Sequence, residues 1–530
     1  MSQVNPSLWR APPRRGDTLW EVLHDRGLLL ANKEAIISPA GGQDGSGERR
    51  LTYLQLSQEA LRLAEQLVRA GVQAGDHVGI VLTNTLEFVL TFLAVVSMRG
   101  VAAPLNPALK QAQFEFFLED MDVHHIILPS KGAEEARLAS QALNVSMWTI
   151  SPLTGVDGRF SALVPPSSLS TNMLRITPDT SDWTPVPGDR CLFLHTSGTT
   201  GRPKGVPLSH ANLTTSMYNI TGTYDLSPSD TCMVVMPLFH VHGLIGCLLS
   251  TLYSGGCSVI QPDRFSATTF WPLFLQYKCT WYSAVPTIQQ ILLSCAHRDY
   301  KSSGHLRFIR SCSASLAPAT LRQLEATFHA PVVEAYAMSE AAHQMTANYL
   351  PPGTRKPGSV GRGRGVPVTI RSEEGELPQG SKGEVCIKGR NVMEGYYNNP
   401  VANAANFTKD GWFRTGDQGY LDEDGFLFLT GRLKEMINRG GEKIAPVAVD
   451  EVLLEHPAVR CVCVCVCATS LMIKFVLSST NPLLSISIAV TFGVPDKKYG
   501  EEVHAAIVLK AEAKGKNVEE VRKSLEAHCR

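Results

Sequence analysis

The stretch LFLHTSGTTGRPKGVPLSH, residues 192–210, sets a polar, glycine-rich loop directly behind an apolar run of strand type. Glycines 198, 201 and 205 give the backbone φ values that turn successive N–H groups toward an anion. Ser197, Thr199 and Thr200 add hydroxyl donors, and Lys204 adds a point charge. That is chemistry for a phosphate group. The spacing departs from the common P-loop, because Pro203 stands directly before the lysine and argues against a helix starting there. Taken alone, the residues leave two readings open: a phosphate cradle, or a Gly/Ser/Thr surface turn.

The chain around this loop sets limits on its use. At 530 residues it exceeds the size at which a single core stops growing, so two or more domains are expected. Its 49 basic and 49 acidic residues cancel, and neither sign forms a long block. This argues against nucleic acid or an anionic membrane as the main partner and favours an enzyme of small molecules. The opening MSQVNPSLWRAPPRRGDTLW lacks an apolar core of signal-peptide type, so a start near Met1 is expected. Thirteen scattered cysteines read as reduced core thiols, with a cytosolic or organellar location expected.

Apolar periodicity gives alternating elements. LTYLQLSQEALRLAEQLVRAG and LEFVLTFLAVVSMRG read as helices, and DHVGIVL, VAAPLN and HHIILPS read as strands. The strands RCLFLHT, DTCMVVMP and CSVIQP follow, then helical FWPLFLQY and VPTIQQILLSCAH. Strand LRFIRSCS, helix LAPATLRQLEATFH and strand PVVEAYAMSE complete this part. Such alternation predicts an α/β fold of parallel sheets covered by helices. After Gly353 shorter strands such as GEVCIKG and GFLFLTG predict a smaller β-rich, barrel-like unit, with a boundary near residues 430–437. The expected organisation is a large domain over 1–430, a hinge at 431–434 and a small α+β domain over 435–530.

The ten residues TSGTTGRPKG resemble the signature loop of the adenylate-forming enzymes, the superfamily of acyl-CoA synthetases, luciferases and peptide-synthetase adenylation domains. The resemblance implies that Thr196, Ser197, Gly198, Thr199, Thr200, Gly201 and Lys204 hold ATP phosphates while a carboxylic acid attacks the α-phosphate. Loop exposure then serves closure over pyrophosphate and its release, with Lys204 neutralising that leaving group. VVEAYAMSEAAHQM, residues 332–345, resembles the family's adenine and magnesium segment, which implies nucleotide contacts for Glu334, Tyr336 and Ser339. The same match makes Glu340 the Mg²⁺ carboxylate. SCSASLAP resembles the turn lining the same cavity, placing Ser313 in the acid pocket and Ala314 and Ser315 against the adenylate. Asp417 and Arg432 match the ribose contacts, where a carboxylate suits a vicinal diol. Lys434 matches the hinge of the swinging small domain, and Lys443 in NRGGEKIAP matches a loop brought in for thioester formation with CoA.

For the acid, MPLFHVHGL matches the segment bordering the acyl pocket, so His240 becomes a wall or gate residue. His343 falls three residues after Glu340, near the pocket mouth, and a histidine there with His240 opposite would suit a short diacid. AYAMSEAAHQM followed by RKPGSVG most resembles the oxalyl-CoA synthetase branch of the 4-coumarate-CoA-ligase-like proteins. A hydroxycinnamate or medium-chain acid is the alternative. The resemblance covers residues 15–459 and then departs. From Arg460 to about Ile488 an apolar stretch with Cys461, Cys463, Cys465 and Cys467 intervenes where relatives run on directly. It reads as an unadapted insertion, with membrane association through residues 460–490 as the lesser alternative. The sequence ends at LEAHCR without the family's Pro-Lys-x-x-x-Gly-Lys segment or a peroxisomal tripeptide. The expectation drawn from that is slow adenylation by a nucleotide-binding chain, with a cytosolic pool.

Overall fold

The computed structural model describes residues 18–41, 47–153, 159–166, 183–196, 202–301 and 304–439. Beyond these it describes the strands Glu442–Ile444, Val459–Cys461, Val490–Asp496, Gly500–Ala506 and Val508–Leu509, with positions 446, 449, 452, 520, 521, 524 and 527. Ser197 to Gly201 and residues 462–489, including Cys463, Cys465 and Cys467, lie outside the described residues.

The short Val/Ile runs pair as parallel strands because the segments between them are helical crossovers. A nine-stranded sheet carries, from one edge, Arg362–Gly363, His343–Ala347, Val332–Met338, Phe308–Cys312 and Trp281–Ala284. It continues with Thr231–Val234, Cys257–Ile260, Glu34–Ser38 and Arg49–Thr52. Its inner strands, from Val332–Met338 to Glu34–Ser38, are parallel, and the outer ones antiparallel. A seven-stranded sheet is built the same way around His77–Ile80, Val101–Pro104 and His125–Pro129. Its last pair, Arg190–Thr196 with Lys204–Ser209, is an antiparallel hairpin. The parallel expectation therefore holds inside both sheets and gives way at their edges, where the connections, apart from that between Ala347 and Arg362, are shorter than a crossover needs.

Helices begin where the sequence supplies caps. Thr52 and Gln55 exchange hydrogen bonds of 3.2 and 2.9 Å at the start of Tyr53–Arg69, a reciprocal cap. Pro286 and Pro318 open Pro286–Asp299 and Pro318–Phe328 at the position where a missing N–H costs nothing. Leu86–Ser97 is apolar on nearly every side, and all of it is buried. Tyr224, Phe308 and Trp281 form a continuous ring stack with 5.2 Å between successive centroids.

After Gly353 comes a five-stranded, fully antiparallel sheet that ends on Phe413–Leu421 and Leu427–Arg432. Chain from Ile437 onward enters a separate four-stranded sheet. Cys191, Cys232, Cys247, Cys257, Cys279, Cys295, Cys312 and Cys386 are all free thiols. Among the described residues, no helix is long and apolar enough to cross a membrane.

Candidate functional site

Parallel strands deliver their carboxyl ends to one edge of a sheet, and the turns there carry the chemistry. Ser313 to Ser315 follow strand Phe308–Cys312, and Ser339 and Glu340 follow Val332–Met338 in a short 3₁₀ turn, Ser339–Ala341. Lys204 arrives from the other sheet, paired with Thr196 on the neighbouring antiparallel strand.

Lys204 and Glu340 meet at one ring. The Lys204 ammonium lies 4.5 Å from the centre of Tyr396, whose hydroxyl donates a 2.8 Å hydrogen bond to Glu340 Oε1. Burial depresses the proton affinity of Lys204, the positive Lys434 depresses it further, and Glu340 works against both. Two neighbouring lysines with one buried carboxyl make a place for a polyanion and a divalent cation. Burial also lifts the Glu340 carboxyl above its usual range, opposed by hydrogen bonds and by the charges of Lys204 and Arg432.

Expected nucleotide contacts assemble beside it. The Tyr336 hydroxyl donates to Asp417. Arg432 Nε sits 3.3 Å from Asp417 Oδ1, because the two residues are directly opposite on neighbouring strands of the five-stranded sheet. Burial raises the Asp417 carboxyl, while Arg432 and Tyr336 pull it back down. Glu334 is buried two residues before Tyr336 on the same strand and accepts the Gly358 N–H at 3.3 Å. Lys434 is exposed between the two antiparallel sheets, and Lys443 pairs in register with Asn438 in the hairpin Ile437–Arg439 with Glu442–Ile444.

On the acid side, Ser313, Ala314 and Ser315 are exposed on their turn. Ser313 has φ of 74°, and Ala342 and His343 have φ of 48° and 94°. Three non-glycine residues at positive φ, one on the turn after Phe308–Cys312 and two just after the Ser339–Ala341 turn, are strain of the kind held at functional sites. The expectation that His343 lies near the mouth is corrected: it is fully buried, tucked where a Cβ on Gly246 would come within 2.4 Å of its Nε2. Nor does His240 face it. The ring stacked on His343, at 5.3 Å and 26°, is that of His242, while the His240 ring lies against Phe239. Spacing could not tell the two apart, since the short helix Val241–Gly243 turns His242 inward and leaves His240 at its cap. His242 Nδ1 is 3.0 Å from Ser313 Oγ and its Nε2 is 2.7 Å from Ser283 Oγ. Neither ring nitrogen of His343 has a hydrogen-bond partner among the described residues. Burial holds both histidines well below their usual proton affinity, and the nearby Arg310 adds to this.

His242, Arg310 and Tyr396 are absent from the sequence-based set. Arg310 carries a signal in hindsight, the one charged residue of the buried strand Phe308–Cys312. A 310 Å³ cavity lined by Arg190, Asn212, Glu394 and Tyr397 touches the cluster only through Tyr396 and contains none of the expected site residues.

The family described as AMP-binding enzyme matches residues 30–397. The chain belongs to that family. The AMP-binding chain is 48% identical over 468 residues to the probable CoA ligase CCL9 of Humulus lupulus, covering 87% of this chain and 82% of the relative. It is 46% identical over 469 residues to the oxalate-CoA ligase of Arabidopsis thaliana, covering 87% and 84%. Among solved structures, ATP-bound MatB from Rhodopseudomonas palustris superposes with a TM-score of 0.78 at 28% identity, covering 96% of this chain and 92% of the other. As an AMP-binding enzyme of this kind, the chain is an AMP-forming acid-thiol ligase that uses ATP, a small carboxylic acid and CoA.

Proposed function

We propose that the acid is oxalate. The observation that carries this reading is the buried polar cluster behind Ser313: two neutral stacked histidines, one with both nitrogens unpaired, beside the cationic Arg310. An apolar acyl chain would leave such groups unsatisfied, whereas a second carboxylate satisfies them. The relatives named oxalate-CoA ligase, from Arabidopsis thaliana and, at 45% identity, from Saccharomyces cerevisiae, support the same reading. A hydroxycinnamate or medium-chain acid fits less well, because the His343 ring fills the space beside Gly246.

In the first half-reaction a carboxylate oxygen of the acid attacks the α-phosphorus of ATP. The bond to the β-phosphate oxygen breaks, and pyrophosphate leaves with its charge met by Lys204 and the loop from Thr196 to Gly201. In the second, the CoA sulfur attacks the acyl carbon, its proton is lost, and AMP departs with the electron pair. Tyr336 and Asp417 would hold the nucleoside, with Arg432 fixing Asp417 and with Glu334, Ser339, Ala314 and Ser315 lining the nucleotide's side of the cavity. Glu340 would hold Mg²⁺, which supplies charge neutralisation for the phosphates. A hard, buried carboxylate fits that ion. Lys434 is the pivot between a domain over 1–430 and one over 435–530, and Lys443 acts in the thioester step.

The test is pyrophosphate exchange into ATP with oxalate, malonate, 4-coumarate and octanoate. Oxalate gives the highest kcat/KM; exchange driven best by octanoate or 4-coumarate contradicts the reading.

A further inference from the structure

Arg310 has no exposed surface, and it points from the centre of strand Phe308–Cys312 into the core behind the acid pocket. The three groups that hold its guanidinium are all uncharged: Tyr224 Oη at 2.9 Å, Ser283 Oγ at 3.1 Å and Gln344 Oε1 at 3.1 Å. No carboxylate among the described residues pairs with it. A guanidinium stays protonated at every accessible pH, so the fold carries a buried positive charge with no countercharge of its own.

The hydrogen bonds leading away from it have one consistent direction. Arginine can only donate, so Ser283 Oγ accepts from Arg310. Ser283 has one other partner, His242 Nε2 at 2.7 Å. If that nitrogen carried the proton, the Ser283 hydroxyl hydrogen would be buried without an acceptor. Ser283 therefore donates to Nε2, the proton of neutral His242 sits on Nδ1, and Nδ1–H donates to Ser313 Oγ at 3.0 Å. The Ser313 oxygen then accepts from His242, and its own hydroxyl hydrogen is available for donation at an exposed, positive-φ turn.

We propose that Arg310 is a positioning residue for acid selectivity: through Ser283 and His242 it fixes the Ser313 hydroxyl as a donor, and its own missing countercharge is the distal carboxylate of the bound diacid. The proposal rests on the oxalate reading and names what enforces it. His343, stacked on His242 with free nitrogens, belongs to the same positively biased wall.

The experiment compares wild type, Arg310→Met, Arg310→Lys and Ser283→Ala by pyrophosphate exchange with oxalate and with acetate, alongside the thermal shift produced by Mg-ATP. Arg310→Met raises the oxalate KM at least tenfold while the acetate KM and the ATP-induced shift stay within about twofold, and Arg310→Lys restores part of the oxalate preference. If Arg310→Met does not fold, Ser283→Ala carries the test, because it keeps the charge and cuts the relay: the oxalate KM rises selectively. A wild type that does not prefer oxalate over acetate overturns both the substrate reading and the relay. A wild-type preference for oxalate that survives in both Arg310→Met and Ser283→Ala, or a loss shared equally by both acids, overturns the relay alone.

Discussion

Tyr396 links the two charges to which the proposed phosphate chemistry is assigned, with its ring under Lys204 and its hydroxyl on Glu340. Replacing it with phenylalanine leaves the ring and frees the carboxylate. A group that orients a metal-binding carboxylate contributes roughly 10–100-fold to metal affinity. Tyr396→Phe therefore raises the Mg²⁺ concentration for half-maximal exchange by about that range, read from a Mg²⁺ titration at saturating ATP. Lys204→Ala removes a positioned cation and lowers the exchange rate on the order of 10²–10³-fold. At this scale the sequence shows residues whose chemistry is intrinsic and whose neighbours in the chain are proposed to share their task, as with Lys204 in its motif and Glu340 behind Tyr336. It conceals residues that act through partners brought by folding. Tyr396 stands 56 positions from Glu340, and His242 is set apart from His240 only by the turn of one short helix.

Elements differ in how plainly their periodicity declares them. Leu86–Ser97, Tyr53–Arg69 and the Val/Ile strands are legible because their apolar spacing matches where they are buried. His210–Thr223 is not: its threonines and asparagines are weak helix formers, and tertiary burial holds it together. His210, at its start, accepts the Leu19 N–H at 3.2 Å on Nδ1 while fully buried, which pulls its pKa down to about 4. Since the unfolded chain titrates near 6.5, the unfolded state takes up the proton first as pH falls. The neutral ring thus contributes its full stability above about pH 6.5 and loses roughly 3 kcal/mol of it on the way down to about pH 4. Melting curves between pH 7.5 and 4.5 show this decline, and His210→Gln flattens it; an unchanged slope in the variant excludes His210 as its source. The Tyr224–Phe308–Trp281 stack sets the spacing beneath the Arg310 strand. Phe308→Ala costs about 3–5 kcal/mol, measured as a lower denaturant midpoint.

For the molecule as a whole, the passage from parallel α/β sheets to a small antiparallel unit is legible because connection length and glycine content change together after Gly353. The edge strand Lys204–Ser209 is less so, since it is determined by its antiparallel pairing with Arg190–Thr196 rather than by apolar alternation. Between the five-stranded sheet and the next, Leu433 N–H bonds Gly416 O and Glu435 N–H bonds Arg432 O, both at 3.0 Å, so a proline at 434 leaves both bonds in place. If Lys434 is the pivot, Lys434→Pro keeps pyrophosphate exchange within about threefold and lowers thioester formation by roughly 100-fold, because fixing φ restricts the turn between half-reactions. The most direct measurement for the whole reading is oxalate-dependent exchange of labelled pyrophosphate into Mg-ATP, run on wild type and on Glu340→Gln. The prediction is exchange that requires oxalate in the wild type and falls on the order of 10²-fold or more in the variant. No exchange with any acid in the panel, or equal exchange by the two proteins, would contradict it.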